Sequence, residues 1–159
     1  MPFCRDAALA YAARNWPVFP IVPNTKIPAT PHGFKDATTD PATIAQFPDG
    51  NIAIRTGQGL VVLDIDTKTV DGEATLQGWE AIHTPLPRTY TVKTPSGGTH
   101  YYFTGEAPTK AALGPGVDIR GVGGYVVAPP SSINGKSYAV VDDTPLAPLP
   151  DWLTAYWTR

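Results

Sequence analysis

Asp64 and Asp66 stand two residues apart at the end of the apolar run LVVLDID. In an extended chain alternate side chains leave the same face, so both carboxylates share one side of a strand while Leu63 and Ile65 take the other. Like charges this close disfavour each other's ionised form, and a divalent cation, which prefers hard oxygen ligands, relieves that cost. A pair of turn residues at a strand end would give the same spacing without chemistry. Asp118 and Arg120 repeat the spacing in VDIR, beside the glycine turn that begins at Gly121. They add a further carboxylate and a guanidinium whose planar fork suits phosphate oxygens. His100 follows the turn SGGT, where Gly97 and Gly98 carry no side chain and let backbone N–H groups approach an anion. A hairpin turn also needs glycines, and a strand histidine beside Tyr101 and Tyr102 can simply be packed. It is the combination, carboxylates, histidine, arginine and glycine turns on neighbouring hairpins, that fits metal-assisted phosphoryl or nucleotidyl transfer.

Other chemistries are excluded by what the chain lacks. No G-x-x-x-x-G-K-[ST] phosphate loop occurs, and the G-x-G at Gly57 to Gly59 precedes a strand instead of a helix, so the dinucleotide fingerprint fails. No nucleophile sits in a G-x-S-x-G elbow. The single cysteine, Cys4, cannot form an internal disulfide, and His32, His83 and His100 are too scattered to make a zinc string with it.

The elements that must position these residues can be read in order. FCRDAALAYAARN, Phe3 to Asn15, is alanine-rich and reads as a helix stopped by Pro17, followed by a strand from Val18 and a proline-rich loop containing Lys26. Asp40 before Pro41 is an N-cap signal for a brief helix through Phe47. NIAIRT and LVVLDID, joined by GQG, read as a hairpin, and a helix is expected from Glu73 to His83. RTYTVKT with HYYFT around PSGG predicts a second hairpin, and VDIR with YVVAP around GVGG a third; SYAVV adds a last strand. The tail LPDWLTAYW reads as a short amphipathic helix docking through Trp152, Leu153, Tyr156 and Trp157. This pattern predicts an α+β fold with mostly antiparallel or mixed sheets in two lobes, flanked by short helices.

At 159 residues the chain is the size of one domain, and 1–159 reads as a single continuous unit that could also be excised from a longer replication protein. The 18 prolines and 15 glycines rule out coiled coils and helical bundles. No apolar stretch is long enough to span a membrane and no secretory leader opens the chain, which predicts a cytoplasmic protein with no membrane partner. A net charge of −2 argues against tight nucleic-acid binding by bulk electrostatics and leaves local binding open.

In their order, VVLDID, TPSGGTHYYF and GVDIRGVGGYVVAPPS resemble the motifs of the bifunctional primase–polymerase (prim-pol) domain of the archaeo-eukaryotic primase superfamily. ALAYAARNWPVFPI, the proline-flanked Lys26, GFKDATTDPATI, NIAIRTGQG and LPRTYTVKT are similar to the family's leader segments, so the resemblance runs from about Ala7 to Tyr138. It implies an RRM-like catalytic core and a DNA primase/polymerase that transfers nucleotides from (d)NTPs to a primer or initiating nucleotide on a single-stranded DNA template. By position, Asp64, Asp66 and Asp118 match the metal ligands of a two-ion Mg²⁺ or Mn²⁺ site, and His100 the histidine that approaches the incoming triphosphate. Ser96, Gly97 and Gly98 form the turn before it. Arg120, Lys26, Thr56 and Gly57 are expected as further nucleotide contacts, with a structural loop role as the alternative for Lys26, Thr56 and Gly57. Helicase or accessory modules are implied partners in a full-length protein, and a phage, plasmid or prophage-like element is the implied setting. Two readings of other classes stay open: a non-catalytic nucleotide- or nucleic-acid-binding module of a replication assembly, and a metal-dependent nuclease.

Overall fold

The computed structural model describes residues 2–158. Helix α1 (Pro2–Ala13) buries Ala8, Tyr11 and Ala12 and ends where Asn15 adopts a left-handed φ of 64°, ahead of Pro17. The chain then enters β1 (Val18–Ile21), which is buried along its whole length. Asp40 caps α2 (Pro41–Ile44) as its sequence position predicts, its carboxylate accepting the Thr43 N–H at 3.2 Å, but the helix lasts one turn and stops short of Phe47. Asp71 caps α3 (Gly72–Ile82) in the same way, accepting the Ala74 N–H at 3.1 Å.

The strands form an antiparallel sheet of three and a larger mixed sheet of seven, with a small two-stranded ribbon. The small sheet joins β1 to β2 (Asn51–Arg55) and β2 to β8 (Tyr125–Val127). The large sheet runs β11 (Ala139–Asp142), β4 (Thr91–Lys93), β5 (Thr99–Gly105), β3 (Gly59–Ile65), β7 (Val117–Arg120), β6 (Lys110–Gly114). All of these pairs are antiparallel, and β12 (Ala147–Pro148) adds to β5 in parallel. The ribbon consists of β9 (Ser132–Ile133) and β10 (Lys136–Ser137).

The α+β class and the β4–β5 hairpin agree with the sequence reading, while two other expected hairpins do not form. β2 and β3 lie in different sheets, and so do β7 and β8; each short link carries the chain from one sheet to the other. The two crossings are tied together, since the Thr56 hydroxyl donates to the Gly121 carbonyl at 2.7 Å and the Thr56 N–H donates to the Gly124 carbonyl at 3.0 Å. Gly57, Gln58 and Gly59 all take positive φ there, a sharp turn whose exit direction the residue types do not specify. KAALG forms the edge strand β6, which propensity did not announce, and the tail is a 3₁₀ segment over Asp151–Tyr156 instead of a regular amphipathic helix. Leu153 is nevertheless buried, and Trp152, Tyr156 and Trp157 pack against the core as expected.

Alternation along the large sheet sorts its side chains into two cores. Val62, Val92 and Tyr102 face α1 and the small sheet, meeting Trp16, Phe19, Ile52 and Ile54. Leu63, Ile65, Phe103 and Val117 face the other way, onto Leu76 and Trp79 of α3 and onto Leu153. Asp64 continues the Val62 face, so its carboxylate enters the space between the sheets. Among the described residues no helix is long and apolar enough to cross a membrane.

At the sheet margin Asp142 accepts a hydrogen bond from Arg88 Nε at 3.0 Å and two from Thr144. These donors, Arg88 first, hold its carboxyl down to about 2. Because the folded value is lowered, the stabilisation is present above the unfolded value near 4 and is lost as pH falls through about 2. NMR titration should show the Asp142 carboxyl changing near pH 2, and Arg88→Ala should move that midpoint upward.

Candidate active site

Three adjacent strands bring the chemistry to one level. Asp64 on β3 lies directly opposite His100 on β5 and directly opposite Asp118 on β7. Strict alternation then puts Arg120 on the same face as Asp118, next to Asp64. The separate stretches of sequence that carry these residues thus meet in one transverse row of a continuous sheet. Asp66, just past the end of β3, lines the same hollow, and its Oδ1 accepts the Lys68 N–H at 2.8 Å.

The row is knit by charge. Arg120 Nη2 lies 3.1 Å from Asp64 Oδ2 and 3.3 Å from Asp118 Oδ2, so one nitrogen bridges both carboxylates. Asp118 Oδ1 also accepts the Ala112 N–H at 2.8 Å. His100 Nε2 is 3.4 Å from Asp64 Oδ1, with side chains only 8% and 20% exposed. Burial pushes the Asp64 carboxyl up, but the hydrogen bond and charge of His100 together with Arg120 outweigh it and hold it below the ordinary carboxylate range. His100 Nδ1 and Arg120 Nε are buried with no hydrogen-bond partner among the described residues, leaving polar capacity for a ligand.

Two adjoining hollows, of about 170 and 230 Å³, share Asp64, His100, Arg120, Lys26 and Tyr138 in their walls. Lys26 therefore reaches the row from the proline-rich loop, and Ser96 lines the larger hollow. The glycines of the turn behave differently from the sequence picture of free donors: Gly97 N–H donates to the Thr94 carbonyl at 3.0 Å and Gly98 N–H to the Thr94 hydroxyl at 3.0 Å, so both amides serve the turn itself. Thr56 and Gly57 line neither hollow; Thr56 is buried, tying the sheet crossings together.

Among the described residues no three or more His, Cys, Asp or Glu side chains already stand close enough to hold a metal ion. The donor set nevertheless suits a hard divalent cation. Asp64 and Asp118 offer carboxylate oxygens from facing positions, Asp66 lies at the same hollow, and Arg120 Nη2 marks a point where a single positive group meets both facing carboxylates.

The family model for "bifunctional DNA primase/polymerase, N-terminal" matches residues 8–152, nearly the whole chain. The chain belongs to this family. Its function is thereby primase/polymerase in general terms, within DNA replication and of nucleotidyltransferase type. No curated protein matches the chain.

In this primase/polymerase domain the fold also brings to the site residues that the sequence reading did not single out. Tyr138, Tyr125 and Lys68 line the hollows. Lys68 stands two residues beyond Asp66 and Tyr125 lies within GVDIRGVGGYVVAPPS; Tyr138 arrives from the far side of the chain and is buried against the site. Burial first, then the charge of Asp64, pushes the Tyr138 hydroxyl up to about 12, which keeps it a neutral hydrogen-bond donor at physiological pH.

Gly98 sets the approach of β5 to β3, since a Cβ there would fall 2.5 Å from the Ile65 carbonyl oxygen. That oxygen is backbone and cannot swing away. Gly98→Ala should therefore cost about 1–3 kcal/mol and displace His100 relative to Asp64. Denaturant unfolding and the His100 ring resonances check both effects.

Proposed function

We propose that this domain is the catalytic core of a DNA primase/polymerase that transfers nucleotidyl groups from (d)NTPs to a primer or initiating nucleotide on a single-stranded DNA template, with Mg²⁺ or Mn²⁺. The observation that carries this reading is the transverse row of His100, Asp64 and Asp118 with Arg120 between the two carboxylates. The finer fold reading, an RRM-like core with the small sheet as a second lobe, is supported by the strand order β4-β5-β3-β7 with α3 between β3 and β4. A cytoplasmic location belongs to the same proposal.

Asp64, Asp66 and Asp118 would hold the ions. When bound, the ions supply Lewis acidity, favouring the deprotonated attacking 3′-hydroxyl and offsetting charge on the triphosphate. The hydroxyl oxygen forms a bond to the α-phosphorus as the bond to pyrophosphate breaks. The chain's own part is orientation and charge. Arg120, aimed by its carboxylate partners, presents its fork to phosphate oxygens. His100 offers the open Nδ1 or shares the proton on Nε2 with Asp64, and its buried ring keeps that geometry fixed. Lys26, which lines both hollows, would offer its ammonium group to the triphosphate, and Ser96 Oγ a small donor.

The Arg120 bridge also favours a second reading, since a carboxylate pair already neutralised by a guanidinium could serve a module that binds nucleotide without turnover. Primer-extension and dinucleotide-synthesis assays with Mg²⁺ or Mn²⁺ separate the two. Extension or dinucleotide formation supports the enzyme; nucleotide binding without incorporation supports the module. Loss of labelled DNA ends without incorporation would point to a nuclease.

A further inference from the structure

Most arginines of the described chain are matched to carboxylates: Arg5 pairs with Asp49, Arg88 with Asp142, and Arg120 with Asp64 and Asp118. Arg14 and Arg55 are the others, and among the described residues neither has an ion-pair partner. They come from distant elements, the end of α1 and the end of β2, yet both line one cleft of about 230 Å³. None of the residues lining that cleft is acidic.

Both guanidinium groups are held by neutral neighbours. The Arg14 guanidinium lies 4.8 Å from the Trp16 ring centroid and 5.2 Å from that of Tyr90, a pair of cation–π contacts. The left-handed turn at Asn15 sends Trp16 inward beneath it. Arg55 Nη2 donates to Gln58 Oε1 at 3.3 Å across the tight Gly57–Gly59 turn. Each cation is thus oriented while its charge stays uncompensated, the arrangement expected of an anion site whose ligand comes from outside.

The position of the cleft points to the kind of anion. Leu60 and Thr104, which line it, are paired on the face of β3 and β5 that carries Asp64 and His100. Four residue steps along the strands separate the two pairs, about 13 Å at 3.3 Å per residue. A single mononucleotide seated at Asp64 does not need a second cationic site that far along the sheet, whereas a strand of several nucleotides does. With a net charge of −2, strand binding has to come from such a local patch.

We propose that the Arg14–Arg55 cleft binds the phosphodiester backbone of single-stranded DNA, holding the strand on which the row at Asp64 acts. The choice of DNA strand rests on the primase/polymerase reading above. The test is fluorescence anisotropy of a labelled oligo(dT) across a salt series, with dTTP binding in the presence of Mn²⁺ measured alongside. An Arg14→Gln/Arg55→Gln double variant should lower the slope of log affinity against log salt by about 1.4, or about 0.7 for each phosphate left without its arginine, and so weaken binding about 25-fold at 0.1 M salt against a 1 M reference. Arg14→Lys/Arg55→Lys should restore most of the slope, and dTTP binding should not change.

An unchanged slope and affinity in the glutamine variant overturns the proposal, as does weakened dTTP binding with oligonucleotide affinity intact. A wild-type domain that fails to bind oligo(dT) overturns it as well. If the double variant melts early, Arg14→Gln alone, at an exposed position, should still lower the slope by about 0.7. A domain that binds DNA through Arg14 and Arg55 yet never extends a primer removes the catalytic reading and leaves this cleft standing.

Discussion

Asp118→Ala lowers the rate of nucleotidyl transfer by at least about a thousandfold, equivalent to some 4 kcal/mol of lost transition-state stabilisation, while the domain stays folded. The carboxylate faces Asp64 across one strand pair, so removing it deletes one of the two facing carboxylates that would hold a cation under the proposed function. The structural consequences are small by comparison. Asp118 is about one-third exposed, and Arg120 has a second carboxylate partner in Asp64, 3.1 Å away, that the substitution leaves in place. Asp64→Ala should lose as much activity and more stability, because it strips His100 and Arg120 of their shared partner in a largely buried position. Single-turnover primer extension alongside thermal melts checks both variants. Activity within tenfold of wild type for Asp118→Ala would remove the carboxylate row from the mechanism.

Phe103→Ala destabilises the domain by about 3–5 kcal/mol, lowering the melting midpoint by roughly 10 °C. Phe103 is fully buried in the core on the far side of the large sheet, with Leu63, Ile65, Leu76 and Trp79 around it. The strands on which it sits cannot collapse into the void, because β5 is fixed between β3 and β4 and is also joined by β12 at Phe103 itself. Ile82→Ala supplies the contrast: at 73% exposure it should change stability by no more than about 0.5 kcal/mol. Urea unfolding of the two variants makes the comparison, and equal effects would contradict the assignment of Phe103 to that core.

The site was legible in the sequence where the chemistry is carried by spacing. The two-residue intervals place Asp64 and Asp66 of LDID, and Asp118 and Arg120 of VDIR, on one face each, and the PSGG turn pairs its flanking strands β4 and β5 as expected; that β5 then lies against β3, with His100 opposite Asp64, comes from the fold. What the sequence hid is partnering. GQG and GVGG announce that the chain turns sharply, and alternation announces strands, but neither states whether the strand after the turn stays in its sheet. Here β2 and β3 are both buried over most of their length, so their apolar runs carry no polar face to reveal that they belong to different layers. KAALG carries no strand signal of its own, yet it forms the edge strand β6 with Ala112 at φ 54°, where tertiary pairing decides the conformation. Tyr138 was invisible for a simpler reason: nothing in its neighbourhood of the chain marks a residue that only the fold carries to Asp64.

Because Asp64, His100 and Asp118 occupy one rung of a hydrogen-bonded ladder, their mutual spacing is set by main-chain pairing and not by the lengths of the connecting segments. The links after Asp66 and before Tyr90 can gain or shed residues during evolution without moving the rung. An insertion or deletion inside β3, β5 or β7 has a different outcome: a slip of one position turns every second side chain over and exchanges a carboxylate for an aliphatic neighbour. Natural length variation should therefore gather in the loops and spare these three strands.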